Sequence, residues 1–236
     1  MRVKITLAYN GTHFFGSQVQ SETDQTILGL LELSLSKLGI KERVVASGRT
    51  DRGVHATGQV CHVDLPLFWS DLTKLRQELN RSLPLAIRVK KITAVSEDFH
   101  ARYSAKKRSY RYIIKEGEAD PFSAEFITYL DSYERKKVEE NIALFVGEYD
   151  FSYFLKSGSE TKSNVREIYK AYAYRYKGYS ILHFQATGFL RSQIRLMVGA
   201  LLSLNSQEIQ EKLTLVKNHN CRPAPANGLY LAKILY

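Results

Sequence analysis

Cysteine is scarce in this chain, and its scarcity excludes two kinds of small-protein architecture. Only 2 of the 236 residues are cysteines, Cys61 and Cys221. They are too few for a disulfide framework or for a four-ligand structural zinc site. Cys61 lies in an apolar segment, where we expect a small core residue. This cysteine usage is typical of a reduced, cytoplasmic setting.

Long apolar runs and cofactor fingerprints are missing as well. No apolar run approaches the roughly 18 to 20 residues that a membrane span needs, and the alternating segment 1–9 lacks the apolar block of a signal peptide. There is no P-loop and no dinucleotide fingerprint, and the histidines lack metal-ligand spacing. We expect no membrane partner, no metal and no cofactor.

Acidic residues are outnumbered by basic ones, which points to the kind of partner. The 34 Lys and Arg against 24 Asp and Glu give a formal net charge of +10. An excess of this size indicates a polyanionic partner, with nucleic acid ahead of an anionic membrane surface, although it also serves solubility. The hydrophobic content of 44% is ordinary for a soluble protein with a packed core.

Hydrophobic periodicity predicts the order of elements in the first half of the chain. Four segments read as strands: Val3–Tyr9, Val44–Ser47, Gln59–Leu65 and Ile87–Val95. Two segments have helical spacing, Thr26–Leu38 and Ser70–Ser82, the second with Ser70 as its expected N-cap. The predicted order is β-α-β-β-α-β.

The second half follows a similar order. Strands are predicted at Ser109–Lys115, Ile168–Tyr176, Ser180–Thr187 and Leu229–Leu235, and helices at Glu134–Val146, Phe189–Leu204 and Gln207–Asn218. We therefore predict an α+β fold of two tandem ferredoxin-like halves with antiparallel sheets, helices packed on one face of each sheet, and an RNA-binding cleft between the halves. The predicted domains are residues 1–104 and 105–236.

One acidic residue stands between two arginines, and this short run is the chain's strongest chemical motif. It reads Arg49-Thr50-Asp51-Arg52-Gly53-Val54-His55-Ala56, between two strand-like segments. Nearby positive charge favours the ionised carboxylate of Asp51, as a nucleophile or a general base requires. Taken as charges alone, the run is more typical of a surface salt-bridge loop than of a catalytic site.

The run from Gly48 to Ala56 resembles the catalytic loop of the tRNA pseudouridine synthase A (TruA) family. Four further segments resemble the same family in order, and together they cover nearly the whole chain. They are residues 9–18, residues 99–112, residues 188–199 and residues 223–231. The resemblance implies isomerisation of uridine to pseudouridine in the anticodon stem-loop of tRNA, on its lower 3′ side, by a homodimer.

The same resemblance assigns roles to three residues. Asp51 is implied as the catalytic carboxylate, Tyr110 as the ring that stacks on the target base, and Arg195 as the partner that orients Asp51 and keeps it charged. By residue type alone, Tyr110 is a half-buried sheet aromatic that shares a strand face with Tyr112. Arg195, on an apolar helix, either extends to the surface or pairs with a buried group.

Further residues are expected to contact the substrate. The resemblance assigns Arg49 to the displaced target nucleotide, although it could also pair within its own loop. Leu229 lines the base pocket or belongs to the core, and His55 supports the loop. The candidates for phosphate contacts are Arg102, Lys106, Lys107, Arg108 and Lys162, with ordinary solvation as the alternative for each. For Tyr172, Tyr174 and Tyr176, sheet core or a subunit contact is favoured over RNA stacking.

Two other functions compete with this interpretation. A ferredoxin-like sheet with exposed aromatics could bind RNA without catalysis, and a single Asp could serve a nucleoside or glycoside hydrolase that releases free uracil. The chain departs from the usual family pattern at three positions: Asn10 stands where Asp is common, Ser17 where Trp is common, and Tyr149 where His is common. These departures bear on the details of the target site, and the reaction class stays as implied.

Overall fold

The chain divides into two compact units. The computed structural model describes residues 1–156, 158 and 161–236. One unit comprises Met1–Lys106 together with Tyr230–Tyr236, and the other comprises Lys107–Leu229. The predicted α+β class is confirmed, because strands and helices of both units are mixed along the chain. The finer prediction of two domains at 1–104 and 105–236 stays a prediction.

The first unit contains the predicted β-α-β-β-α-β order. Its elements are β1 (Arg2–Tyr9), α1 (Ile27–Lys37), β2 (Val45–Ala46), β3 (His55–Asp64), α2 (Leu72–Ser82) and β4 (Ile87–Ala94). These four strands lie in the order β4-β1-β3-β2, and each neighbouring pair among them is antiparallel. Alternate residues of β1, from Val3 to Tyr9, are buried, which is the period-two pattern of a strand with one face on the core.

Strand β3 has two partners along one of its edges. β2 pairs with it opposite Cys61 and His62. Near its first residue, β3 instead pairs with the last strand of the chain, β10 (Leu229–Leu235), through a register of Tyr230 with His55. This pairing is parallel, which the prediction of antiparallel sheets did not include. The first residues of β3, which directly follow the Asp51 motif, are therefore held on this edge by the chain's last strand.

Within its described residues the second unit contains five strands, four of which pair antiparallel in a row. Its strands are β5 (Lys107–Glu116), β6 (Thr128–Leu130), β7 (Gly147–Asp150), β8 (Val165–Tyr176) and β9 (Tyr179–Ala186). The order is β5-β9-β8-β7, and β6 pairs with β5 in parallel. β6 and β7 were not predicted, because runs of three and four residues are too short to show a period.

Four predicted helix boundaries are corrected. The helices of the second unit are α3 (Arg135–Asn141), α4 (Gln193–Ser203) and α5 (Ser206–Leu213). α4 begins after Phe189 because Ser192 has a left-handed φ of 59°, and α5 ends before Asn218 because Leu215 has a φ of 60°. Residues Ile142–Phe145 form a 3₁₀ turn, so the α-helix predicted to Val146 ends early.

In the first unit Asp71, not Ser70, caps α2 by accepting two backbone N–H bonds at 2.9 Å.

Candidate active site

Asp51 lies on the loop that connects β2 to β3. The Asp51 side chain is half-buried, while Arg49 and Arg52 on either side of it are exposed. The Val54 N–H donates to the Asp51 carbonyl at 3.1 Å, which closes a tight turn. Gly53 within this turn has a φ of 78°, a conformation that a Cβ atom would oppose. The turn therefore presents Asp51 and the two guanidinium groups at the end of a sheet.

A buried pair of hydrogen bonds ties this loop to the segment between β1 and α1. The Thr50 N–H donates to Ser17 Oγ at 2.8 Å, and the Ser17 N–H donates to the Thr50 carbonyl at 3.1 Å. Ser17 is 1% exposed and Thr50 is 6% exposed. Because unmade buried hydrogen bonds are costly, this exchange holds the backbone of the residue before Asp51 in one position.

A second set of buried polar groups lies beneath the loop. Gln59 is fully buried; its amide nitrogen donates to the Gly48 carbonyl at 2.9 Å, and its amide oxygen accepts from Ser47 Oγ at 3.0 Å. The Tyr9 and Thr50 hydroxyls are hydrogen-bonded at 2.8 Å. Burial raises the pKa of Tyr9 to about 12, so that its hydroxyl stays protonated. Hydrogen bonds from buried polar side chains, and not apolar packing alone, therefore hold the loop in position.

The turn after β1 approaches the Asp51 loop so closely that two glycines are required. A Cβ atom on Gly11 would lie 2.0 Å from the Val54 carbonyl oxygen. Gly16, with a φ of 94°, would place a Cβ atom 2.9 Å from the Thr50 carbonyl oxygen. The Gly11 N–H donates to His55 Nδ1 at 3.0 Å, which confirms the prediction that His55 supports the loop.

The departures from the family pattern at Asn10 and Ser17 have structural roles here. Asn10 Oδ1 accepts from the N–H of Thr12 at 3.0 Å and from its hydroxyl at 2.7 Å. This is a local turn in which an amide oxygen replaces a carboxylate oxygen. Ser17 supplies the buried hydroxyl that accepts from Thr50. Both substitutions therefore fall in the turn that supports the Asp51 loop.

One arginine beside Asp51 lies over an aromatic ring. The Arg52 Cζ atom is 4.4 Å from the centroid of the Phe15 ring, and Phe15 is 45% exposed. This distance is within the range of a cation–π contact. The pair could not be predicted from the sequence, since Phe15 and Arg52 belong to different motifs.

Tyr110 and Tyr112 share a face of β5, as predicted from the alternation of strand side chains. Both rings are buried, and the intervening Arg111 is exposed. The Tyr110 ring meets Phe189 edge to face at 5.3 Å between centroids. The Tyr112 hydroxyl donates to the Pro225 carbonyl at 2.8 Å and is hydrogen-bonded to Thr128, and burial raises its pKa. The Tyr112 hydroxyl therefore binds the turn that precedes β10.

Arg195 is joined to that same turn. Its Nε donates to the Ala224 carbonyl at 2.7 Å, and the Ala224 N–H donates to the Arg195 carbonyl at 2.8 Å. The side chain is half-buried, whereas Arg191, which precedes α4, is exposed. Leu229 is buried, with 6% exposure. Within the second unit, the resemblance-derived residues Tyr110, Arg195 and Leu229 are thus ordered by packing or by hydrogen bonds.

The predicted phosphate contacts differ in their surroundings. Arg102, Lys106 and Lys162 are exposed. The Lys107 Nζ atom lies 4.5 Å from the centroid of the Tyr169 ring, and Arg108 Nη1 donates to the Thr187 carbonyl at 2.5 Å. Lys107 and Arg108 therefore have contacts within the fold, which the sequence did not predict.

No group of three or more His, Cys, Asp or Glu side chains among the described residues could hold a metal ion. Among those same residues, no helix is long and apolar enough to cross a membrane. Cys61 is buried in β3, as expected for a core residue, and neither cysteine forms a disulfide.

The residues that sequence reasoning missed are those beneath and beside the loop. They are Tyr9, Gln59 and Phe15. A glutamine within an otherwise apolar strand is the signal that could have revealed Gln59, because a buried amide needs several hydrogen-bond partners.

Comparison with known proteins gives a consistent family assignment. Residues 5–104 and 142–236 match the family described as tRNA pseudouridine synthase. A tRNA pseudouridine synthase A of Wolinella succinogenes is 40% identical over 98% of this chain and 92% of its own length. The protein of the same name from Campylobacter jejuni strain RM1221 is 39% identical over the full length of both chains, and that from Helicobacter hepaticus is 35% identical over 99% of this chain and 98% of its own. The chain therefore belongs to the tRNA pseudouridine synthase family.

Proposed function

We propose that this protein isomerises uridine to pseudouridine in the anticodon stem-loop of tRNA, with Asp51 as the catalytic carboxylate. Family membership supports the reaction class and tRNA as the substrate. The observation that carries the assignment to Asp51 is its loop: the backbone before Asp51 is clamped by Ser17 through two buried hydrogen bonds. Such preorganisation is what a reacting group needs and an ordinary surface ion pair does not.

The reaction requires one bond to break and another to form at the same sugar carbon. The N1–C1′ bond of uridine is cleaved, the base turns, and a C5–C1′ bond forms. The proton on C5 is then lost and N1 gains a proton, so the product has the composition of the substrate. Reaching these atoms within a stem requires the nucleotide to leave the helical stack, at a cost of a few kcal/mol.

Asp51 can serve this chemistry in three ways. It can attack C1′, it can attack C6, or it can remove a sugar proton to give a glycal. Each route uses an ionised carboxylate beside positive charge, and the adjacent Arg49 and Arg52 side chains supply that charge. Arg49, which is exposed next to the clamped Thr50, is proposed to hold the displaced nucleotide through its phosphate or base.

Three residues of the second unit complete the proposal. Following the resemblance, Tyr110 is assigned to stacking on the target base, Arg195 to orienting the Asp51 carboxylate, and Leu229 to the base pocket. The ordered surroundings of all three within their unit support these roles. Because Arg195 Nε is held by the Ala224 carbonyl, Arg195→Lys should lose that bond while keeping the positive charge. We expect it to lower kcat with little change in KM.

Binding of the tRNA backbone is assigned to the basic side chains. Arg102 and Lys106 are exposed and suit direct phosphate contacts, while Lys107 and Arg108 follow them in the chain as the first residues of β5. A homodimer and a cytoplasmic location complete the proposal.

The decisive test is product analysis with purified protein and unmodified tRNA. The proposal predicts a nucleoside that is isobaric with uridine in the digest and carries a C5–C1′ bond, with no free uracil released. A nucleoside or glycoside hydrolase would release uracil and leave an abasic site. A non-catalytic RNA-binding protein would bind the tRNA and leave every uridine unchanged. Mapping the modified positions then tests the stem-loop assignment.

A further inference from the structure

A series of three aromatic rings runs from the interior of the first unit to its surface. The His62 ring is buried, with 5% exposure, and lies 5.0 Å from the His100 ring. The His100 ring stacks on Tyr103, with centroids 4.3 Å apart and planes at 28°. Tyr103, the outer member, is 77% exposed. Exposure alone does not mark a binding site, since single exposed apolar side chains are common on protein surfaces; Tyr103 is distinguished by the stacked ring of His100 behind it.

The backbone that carries Tyr103 is fixed by a dense set of hydrogen bonds. His100 Nδ1 accepts from the N–H groups of Arg102 and Tyr103, each at 3.2 Å. The His100 N–H donates to Ser104 Oγ at 3.0 Å, and the Ser104 N–H donates back to the His100 carbonyl at 2.9 Å. Residues 100–104 therefore form a closed turn, and His100 takes part in all four of these hydrogen bonds.

The turn of residues 100–104 is attached to the core by two further hydrogen bonds. The Ala101 N–H donates to His62 Nδ1 at 3.1 Å, and the Tyr236 hydroxyl donates to the Ala101 carbonyl at 2.9 Å. Ala101 itself is fully buried. The exposed ring is thus held in place before any partner arrives, so that binding to it costs little conformational entropy.

Charge near the ring indicates which partner it suits. The Arg102 Cζ atom lies 5.7 Å from the Tyr103 centroid, and Lys106 is exposed three residues further on. A stacking surface bordered by cations matches a nucleobase joined to phosphates. The chain's net charge of +10 favours the same class of partner over an apolar protein surface.

We propose that Tyr103, backed by His100, is a stacking site for one unpaired base of the tRNA, separate from the uridine that reacts. The proposal rests on the proposed function only in taking tRNA as the ligand. Stacking is tolerant of base identity, so the site would contribute affinity and position the tRNA without reading a sequence.

The test compares two substitutions of Tyr103 with one control. Tyr103→Leu removes the ring, and Tyr103→Phe keeps it while removing the hydroxyl. Phe122→Leu is the control, because Phe122 is 91% exposed and lies in the second unit, outside the proposed site. The dissociation constant for unmodified tRNA is measured at several salt concentrations, and reactivity of ribose 2′-hydroxyls to an acylating reagent is mapped on the bound tRNA.

We expect Tyr103→Leu to raise the dissociation constant about tenfold, the effect of losing one base–ring stack. Its slope of log Kd against log salt should match that of the wild type, because no phosphate contact is lost. One unpaired nucleotide should become more reactive. Tyr103→Phe and Phe122→Leu should bind within about twofold of wild type, and all three should melt at the wild-type temperature.

Unchanged binding by Tyr103→Leu would overturn the proposal, as would an equal loss in Tyr103→Phe, which would point to the hydroxyl. A change in oligomeric state without a change in tRNA affinity would identify a protein contact and also overturn it. These outcomes are separable from failure of the proposed function, because pseudouridine formation by the wild type is measured independently of the Tyr103 variants.

Discussion

Ser17 and Thr50 exchange two hydrogen bonds, one through the Ser17 hydroxyl and one through its backbone N–H, although 33 residues separate them in sequence. This exchange joins the turn after β1 to the residue before Asp51. The loop therefore does not depend on its own short sequence for its shape. Its geometry is set by groups supplied from β1, from β3 and from the turn between β1 and α1.

Removing the Ser17 hydroxyl should weaken both the fold and the reaction. Ser17→Ala leaves the buried Thr50 N–H without its acceptor, which should cost ~1–3 kcal/mol in the free energy of unfolding. Because the loop carries Asp51, kcat should fall while KM for tRNA stays near wild type. Urea unfolding and steady-state kinetics measure the two effects, with the exposed Ser132→Ala as the control. A Ser17→Ala protein with wild-type stability and kcat would contradict the role of the clamp.

The Arg52–Phe15 contact should appear as a coupling energy. With a guanidinium carbon 4.4 Å from an exposed ring, we expect ~0.5–1 kcal/mol of coupling between Arg52→Ala and Phe15→Leu. A double-mutant cycle in urea measures this quantity. Arg52→Lys, which keeps the charge and loses the planar group, should retain only part of it. Additive effects of the two substitutions would show that the ring and the guanidinium do not interact.

Gly199 on α4 should be intolerant of any side chain. A Cβ atom there would lie 1.9 Å from the Arg222 carbonyl oxygen, a backbone atom that cannot move without shifting the segment that Arg195 holds. Gly199→Ala should therefore destabilise the protein by ~2 kcal/mol or more. At Gly188 the added Cβ atom would meet no atom within 4 Å, so Gly188→Ala is the matched control. Equal melting temperatures for the two variants would refute this packing.

Stability should fall on acidification in part through His62. Burial, followed by the charges of Arg2 and His100, lowers the pKa of His62 below its ordinary value of 6.5. The folded state thus favours neutral His62, whose Nδ1 accepts from Ala101. The stabilisation is complete above the unfolded pKa and is lost as pH falls through the folded pKa. Between about pH 7.5 and 5, the wild type should lose more unfolding free energy than His62→Gln. Parallel pH profiles would count against this linkage.

Much of the fold was accessible from periodicity. The β-α-β-β-α-β order of the first half follows from apolar spacing alone, and so does the shared face of Tyr110 and Tyr112. What periodicity missed depends on single dihedral angles or on non-local pairing. The left-handed backbone at Ser192 delays α4, and the parallel pairing of β10 with β3 joins residues that lie far apart in sequence.

In the candidate site, the Asp51 motif could be predicted from the sequence, whereas the residues that support its loop could not. The Asp51 motif was visible because charge and glycine spacing are local properties of the sequence. The supporting residues Ser17, Tyr9 and Gln59 were not visible as a group, because each reaches the loop from a different element. In the sequence Ser17 differs from the family pattern and shows no other signal; its hydrogen bonds with Thr50 explain what the serine does there.

The most direct test of the central claim is tritium release from tRNA labelled at C5 of uridine, because that hydrogen is lost when C5 bonds to C1′. The wild type should release tritium, and Asp51→Ala should reduce the rate by ~10³-fold or more while binding tRNA with near wild-type affinity. Tritium release by Asp51→Ala at the wild-type rate would show that Asp51 is not the catalytic carboxylate.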